Sequence, residues 1–409
     1  MLETIAIVGA SMAGGTAAAT LREQGFDGRV VLIGAEPEPP YERPPLSKEL
    51  LRGESTLEDA LIRPAGFWEE QSIETRFGVS VDGVDPVVCE IELAGSGERL
   101  RYDRLLVSTG ARNRRLPIPG IDLDGVLDLR TVGDAERIRA RLSAGARAVV
   151  VGMGFVGSEV AASLRQSGLE VTAIELARTP LAETLGAEVG GTLAAAHADR
   201  GVAMRFGEGI AAFEGEGRLE RVVTDGGTSI EADLAVVALG VEPVTDLLEG
   251  SGVELDRGVL VDEHCRTSVE GIYAAGDVAN HFHPLAGRHL RVEHWQNAMM
   301  QGEHAARSML GDTTPYDEVH WFWSDQYEHH LQWGGLPGPW DEVVVRGSLE
   351  DRTFTAFYLK DGLLNAAASL DYPKEVRRAM KVVAARVAVD PRVLSDPEAD
   401  LRELVPARS

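Results

Sequence analysis

Short apolar runs alternate with alanine-rich, helix-forming stretches along the first three-quarters of the chain. Residues 5–8 are apolar, a glycine-rich turn follows, residues 16–24 have the composition of a helix, and residues 30–33 are apolar again. That succession predicts a strand–helix–strand unit. The plan returns at residues 148–151, with a second glycine-rich turn, a helix over 158–166 and a strand over 170–175. The ends of the two blocks also match. Residues 102–110 and 232–240 each run through an acid and an apolar strand to a glycine, Gly110 or Gly240. Two copies of one α/β architecture are therefore expected.

Residues 271–278 form a further short strand leading into a turn, and from about Val319 the pattern changes. Period-two segments at 342–346 and 353–358 predict antiparallel strands, and Trp321, Trp323, Trp333 and Trp340 cluster along the chain. A helix is expected over 374–388, with Pro373 near its first turn. The fold class is α/β, with two Rossmann-like dinucleotide-binding domains and a C-terminal α+β domain. Residues 1–110 with 241–318 form the first, 111–240 the second, and 319–409 the third.

The length of 409 residues agrees with two or three domains at about 150 residues each. With 44% hydrophobic and 26% charged residues, the composition is that of an ordinary globular protein. No apolar run approaches the ~20 residues that a membrane span needs. The N-terminus opens Met1-Leu2-Glu3-Thr4 without the basic segment of a signal peptide, so a cytoplasmic location is expected. Forty basic residues against 65 acidic ones leave a net charge of −25, which opposes binding to nucleic acid or to anionic membranes. The two cysteines, Cys89 and Cys265, are far apart in apolar, strand-like surroundings and are expected to be reduced, buried small hydrophobes. Two such residues cannot build a disulfide framework. His329 and His330 are adjacent, but lack the carboxylate pattern of a metal site. They are expected to be exposed, and no metal is expected.

The first turn reads Gly9-x-Ser11-x-x-Gly14 and the second Gly152-x-Gly154-x-x-Gly157. Such a turn between strand and helix lets backbone N–H groups approach a pyrophosphate at the positive end of the helix. Ser11 departs from the glycine pattern, though its hydroxyl can itself donate to a phosphate. Glu36 and Glu175 lie just past or at the end of the following strands, where an acid can hold ribose hydroxyls. Glu175 also repels a 2′-phosphate, by roughly 3 kcal/mol at ~5 Å before solvent screening. That favours NADH over NADPH, although Arg178 nearby offsets part of the repulsion. Two dinucleotide sites imply electron transfer between a mobile nicotinamide and a resident flavin. Gly276-Asp277 supports the flavin, because a carboxylate at a strand end can hold ribityl hydroxyls.

Longer strings carry a family resemblance. They are Tyr41-Glu42-Arg43-Pro44-Pro45-Leu46-Ser47-Lys48, Ser108-Thr109-Gly110-Ala111-Arg112, Leu129-Arg130-Thr131, the second glycine turn with Glu159, Ala274-Ala275-Gly276-Asp277, Glu293-His294-Trp295-x-Asn297-Ala298 and Phe322-Trp323-Ser324-Asp325-Gln326. Over nearly its whole length the chain resembles the flavin-dependent ferredoxin reductases of oxygenase systems, which have a glutathione-reductase-like fold. The resemblance implies that FAD takes a hydride from NADH and passes electrons singly to a 2Fe-2S ferredoxin. It implies two catalytic residues, Lys48 beside the flavin ring and Glu159 paired with it. It also implies an FAD site lined by Ala13, Glu36, Arg43, Val81, Arg130, Asp277 and Trp295. Gly9, Ser11, Gly14, Thr109, Gly110, Gly276 and Glu293 join the cofactor-binding set on that side. Gly152, Gly154, Gly157, Glu175 and Gly240 join it on the nicotinamide side. Trp323 matches an aromatic near the flavin edge that faces the ferredoxin.

For an acidic chain to dock a ferredoxin, a local basic patch is needed, and Lys374, Arg377, Arg378 and Lys381 fall at helical spacings that place them on one face. A disulfide reductase is excluded, since it needs two cysteines close in sequence near the flavin, or one reactive cysteine in the region around residues 41–48, and the chain has neither. Two other functions remain open. One is an NADH oxidase or quinone-type flavoprotein, and the other a nucleotide-sensing flavoprotein related to apoptosis-inducing factors.

Overall fold

The structure is a computed structural model that describes residues 3–372 and 374–406; Pro373 and the first two residues lie outside them. Among the described residues six helices have eight residues or more. They are α1 (Met12–Glu23), α2 (Val132–Arg139), α3 (Phe155–Gln166), α4 (Ala182–Asp199), α5 (Trp295–Met309) and α6 (Lys374–Ala385). The chain divides into two compact units. Met1–Glu42, Leu57–Arg112 and Val241–Glu318 make the first, and Arg43–Thr56, Asn113–Gly240 and Val319–Ser409 the second.

In the first unit Thr4–Val8 is the central strand of a five-stranded sheet. It pairs in parallel with Arg29–Gly34 on one side and Arg104–Val107 on the other; Ile73–Phe77 and Ile272–Ala274 extend the edges. Because successive side chains point to opposite faces, a central strand must be apolar throughout. Ile5 and Ile7 pack under α1 and α5, while Ala6 and Val8 face a second layer with Ile91, Leu93 and Leu100. That layer is an antiparallel meander of Val81–Asp85, Glu90–Leu93 and Arg99–Arg101.

The second unit repeats the plan. Arg147–Val151 is central, flanked in parallel by Glu170–Glu175 and Leu234–Val237, with Ala203–Phe206 and Val126–Asp128 at the edges. The meander Ile210–Glu214, Arg221–Thr224, Ser229–Glu231 again falls between the third and fourth repeated strands. The duplication thus covers four strands and the meander. Only the fifth strand differs in origin, arriving late in the chain in the first sheet and early in the second.

The same unit carries an antiparallel sheet in the order His320–Gln326, His329–Gly335, Leu363–Leu370, Thr353–Lys360, Glu342–Ser348. One face packs on α4, where Leu185, Val189 and Leu193 meet Phe322, Trp333 and Phe354. The other face carries α6, whose Val376 and Met380 lie against Gly334. A buried Arg346–Glu375 ion pair of 2.8 Å ties α6 to the sheet, and Arg346 also donates to the carbonyls of Val393 and Leu394.

Several expectations need correction. Both βα helices start earlier than their apolar composition suggests, at Met12 and Phe155, because the glycine turn leads directly into the first helical turn. α6 ends at Ala385, and Arg386 follows with a left-handed backbone (φ 49°). The cysteines sit in turns rather than strands, both with positive φ; Cys265 is buried and Cys89 half-buried. The four C-terminal tryptophans, close in sequence, divide into two pairs, Trp333 and Trp340 sharing one apolar cluster. Trp321 stacks on Trp323, whereas Trp333 stacks on Phe322 and Trp340 meets Tyr358 edge-on.

The contact between α1 and α5 has no spare room, since a Cβ on Gly302 would lie 2.2 Å from the Ala13 carbonyl oxygen. Gly302→Ala should therefore lower stability by about 1–3 kcal/mol, because forced separation outweighs the gain in helix propensity. Gly191→Ala in α4, where an added Cβ meets nothing within 4 Å, should raise it by up to about 1 kcal/mol. Denaturant midpoints measure both changes.

Candidate functional site

The two glycine turns have matching geometry. Gly9 (φ 113°) and Gly152 (φ 89°) have backbones that other residues adopt only under strain, and a Cβ would lie 2.1 Å from the Ser108 oxygen and 2.4 Å from the Ala238 oxygen. A Cβ on Gly14 or Gly157 would lie 1.9 Å from the Gly9 or Gly152 carbonyl oxygen. These glycines let each helix press onto the end of its strand. Ser11 and Gly154, the N-cap residues, both have negative φ, and a Cβ at Gly154 would meet nothing within 4 Å. The serine at position 11 therefore fits the turn without strain.

Neither helix caps itself. Ser11 and Gly154 make no side-chain cap bond, and neither first turn holds an acid. By contrast α2 closes its N-terminus with a Thr131–Asp134 capping box. Uncapped first-turn N–H groups at the positive end of a helix suit a phosphate.

The predicted acids are held in defined ways. Glu36 accepts from the Tyr41 hydroxyl. Glu175 accepts from the backbone N–H groups of Met153 (2.7 Å) and Ala177 (2.8 Å), which locks its carboxylate against the second turn. Asp277 is half-buried beside Gly276 (φ 81°), whose N–H donates to Gln301 Oε1 at 2.9 Å. A Cβ at Gly276 would come 3.0 Å from that of Ala13, so those two residues adjoin. Thr109 donates to the Val244 carbonyl at 2.6 Å, and Gly110 and Gly240 both have positive φ. Val81 opens the meander and Trp295 opens α5, each half-buried. Glu293 is exposed and pairs with Arg291. Gln301 and Ser108, which donates to the Gly9 carbonyl at 2.9 Å, were not anticipated.

A buried polar cluster lies in the second unit. Lys48 follows the short helical turn Pro44–Ser47, and its Nζ lies 3.0 Å from Glu159 Oε2, with the side chains 8% and 7% exposed. Ser47 donates to the same oxygen, and Ser324 donates to Oε1 at 2.7 Å. A buried ion pair is tolerable only when further hydrogen bonds support it, and here two hydroxyls donate to the carboxylate. The Ser47 carbonyl accepts from Ser163 at 2.6 Å, which seats the segment on α3. Arg43 donates to the Arg130 carbonyl, so these two predicted residues also meet. Trp323 is half-buried on the sheet face opposite Ser324.

Two surface expectations change. His329 and His330 are partly buried and carboxylate-bound, His329 Nδ1 to Asp371 at 2.8 Å and His330 Nδ1 to Asp325. Asp325 faces His330 across the hairpin, and Asp371 reaches His329 from the end of the neighbouring strand Leu363–Leu370. Among the described residues no cluster of His, Cys, Asp or Glu could hold a metal, and no helix is long and apolar enough to cross a membrane. Lys374, Arg377 and Lys381 are exposed, but Arg378 is half-buried and donates to Glu375 at 2.7 Å, so it leaves the predicted patch.

Residues 3–302 match the model of the pyridine nucleotide-disulphide oxidoreductase family, and residues 321–405 that of the reductase C-terminal domain. The chain belongs to the pyridine nucleotide-disulphide oxidoreductase family. It is 38% identical over 400 residues to rhodocoxin reductase of Rhodococcus erythropolis, covering 98% of this chain and 93% of that one. It is 40% identical to the ferredoxin–NAD(+) reductase component of the anthranilate 1,2-dioxygenase system of Burkholderia cepacia, covering 97% and 98% of the two chains. The crystal structure of the covalent putidaredoxin reductase–putidaredoxin complex superposes with a TM-score of 0.94 at 34% identity, covering 98% of each chain. Membership of this family implies FAD and a nicotinamide nucleotide. The two uncapped helix N-termini fit the two dinucleotides.

His197 in α4 is fully buried, and burial pushes its imidazole down to about 4 from the usual 6.5. The unfolded chain thus takes up a proton below pH 6.5 that the folded chain refuses until about pH 4. The stability this gives is complete above that window and drains away as the pH falls through it, at about 1.4 kcal/mol per pH unit. His197→Gln should show a loss of stability on acidification shallower by about that slope, read from denaturant midpoints against pH.

Proposed function

We propose that the protein is an NADH:ferredoxin reductase of an oxygenase system, in which one NADH reduces two molecules of a 2Fe-2S ferredoxin and releases NAD⁺ and a proton. The observation that carries the reading is the buried Lys48–Glu159 pair in a chain without a cysteine in the adjoining segment 41–48. A fixed cation there favours the negative charge of a reduced cofactor, and the absent thiol leaves no disulfide chemistry. Bound FAD supplies the conversion of a two-electron donor into one-electron deliveries.

The chain's own residues then position and stabilise. The Gly9–Gly14 turn and α1 would hold the FAD pyrophosphate, Glu36 its ribose and Asp277 the ribityl chain, with Ala13, Val81 and Trp295 beside them; Arg43 and Arg130, which meet within the second unit, are the other two contacts the resemblance implies. The Gly152–Gly157 turn holds the nicotinamide dinucleotide. Glu175, locked by two backbone donors, keeps its charge at the adenosine ribose and disfavours the 2′-phosphate of NADPH.

The docking surface for ferredoxin is read from the C-terminal sheet. Trp321 stands directly opposite Gly334, whose face carries α6, and Trp323 lies two residues on along the same face. Trp323 and the exposed Lys374, Arg377 and Lys381 therefore share one side of that sheet, a basic island on an acidic chain. Such an island steers an acidic partner and sets its orientation.

Anaerobic titration should bleach a flavin absorbance at about one NADH per chain, with NADPH weaker by about tenfold. In Lys48→Met the rate of bleaching should fall at least about tenfold. A protein without flavin, or one that NADH cannot bleach, would overturn the reading. The triple reversal Lys374→Glu, Arg377→Glu, Lys381→Glu should raise the KM for ferredoxin about tenfold at low salt and leave ferricyanide reduction unchanged.

A further inference from the structure

Glu159 stands at one end of a line of hydrogen bonds that runs through the second unit. Its Oε1 meets Ser324 Oγ at 2.7 Å, and Ser324 Oγ meets Gln326 Nε2 at 3.1 Å. Gln326 Oε1 lies 3.1 Å from His197 Nε2, and His197 Nδ1 lies 2.9 Å from the Tyr327 hydroxyl. Glu159, Ser324, Gln326 and His197 are all buried. The far end is clamped by Arg200, which sits over the Tyr327 ring at 5.3 Å and pairs with Glu328.

The carboxylate dictates the direction of every proton in this line. An ionised Glu159 can only accept, so the Ser324 hydrogen points to it. Ser324 must then accept from the amide nitrogen of Gln326, which turns Gln326 Oε1 toward His197. That oxygen needs a donor, so His197 carries its hydrogen on Nε2 and accepts from Tyr327 on Nδ1. Burial holds the imidazole neutral.

We propose that His197 is a positioning residue for the Lys48–Glu159 pair: as a neutral Nε2–H imidazole fed by the Tyr327 hydroxyl, it passes on a one-way line that turns the Glu159 carboxylate toward Lys48. The role rests on the reading of that pair as the charged device beside the flavin. No group in the line reacts, and each only fixes the next.

The test is the tautomer of His197, read from ¹⁵N shifts in ¹⁵N-histidine-labelled holoprotein, with His197→Gln to assign the signal. Wild type should show Nε2–H. In Glu159→Gln, Lys48 and Ser47 retain the amide oxygen, so the new amide nitrogen faces Ser324 and reverses the line. His197 should then shift to Nδ1–H. An unchanged His197 signal in Glu159→Gln, or an imidazolium or Nδ1–H form in wild type at neutral pH, overturns the proposal.

Kinetics supply the second reading. His197→Leu should slow flavin reduction about tenfold, near the worth of one hydrogen bond, with the NADH dissociation constant within about twofold of wild type. His197→Gln, which keeps a donor toward Gln326, should recover most of the rate. Equal rates in His197→Leu and wild type would overturn the role of His197. Wild-type rates in Lys48→Met would instead remove the pair's role beside the flavin, while the tautomer response would still decide whether the line exists.

Discussion

A carboxylate buried among apolar groups is one of the more expensive things a protein can carry, and Glu159 is kept inside by an ammonium and two hydroxyls. Those partners come from two distant stretches of chain, residues 47–48 and the edge strand of the C-terminal sheet, while Glu159 itself lies in α3. Satisfying one anion thus ties the Arg43–Thr56 segment and the reductase C-terminal domain to the second nucleotide-binding fold. Loss of any one donor leaves the buried charge partly unmet, whereas an exposed ion pair that loses its partner is met by water.

The duplicated folds share a second constraint, the close approach of helix to strand. Four glycines, two in each turn, sit where a methyl group would collide with backbone. The residues between them are under no such demand, and Ser11 stands where the second turn has Gly154. The glycine pattern is thus two kinds of position, some set by sterics inside the protein and one facing outward. Of the three glycine positions in the pattern, the two turns differ only at the outward one.

Much of this was legible in the sequence. The strand–helix alternation, both glycine turns and the acids beside them follow from local periodicity and spacing, and Lys48 and Glu159, separated by 111 positions, could be paired through the family strings. Other features depend on distant packing and leave no local trace. Arg378 reads as one of four cations on a helix until Glu375, held by Arg346, claims it. His329 reads as exposed because its carboxylate partner, Asp371, comes from the far end of another strand. The line through Ser324, Gln326 and His197 exists because a hairpin turn packs against the end of α4, and no spacing rule joins residue 197 to residue 326. The helix starts are masked for the opposite reason, since glycine-rich turns look non-helical although here they lead straight into the helix.

The fifth strands of the two parallel sheets enter from opposite directions along the chain, and this bears on the order in which the protein is made. The second sheet has all its strands by Val237, from one continuous stretch that begins at Val126. The first sheet has four by Val107, and then waits for Ile272–Ala274 before the edge of Arg104–Val107 is covered. During synthesis the older half therefore carries an open strand edge while the younger half closes, and an unpaired edge is where chains join wrongly. The sheet begun first is completed last, so a chain ended between those two points has all five strands of the second sheet and an uncovered edge on the first.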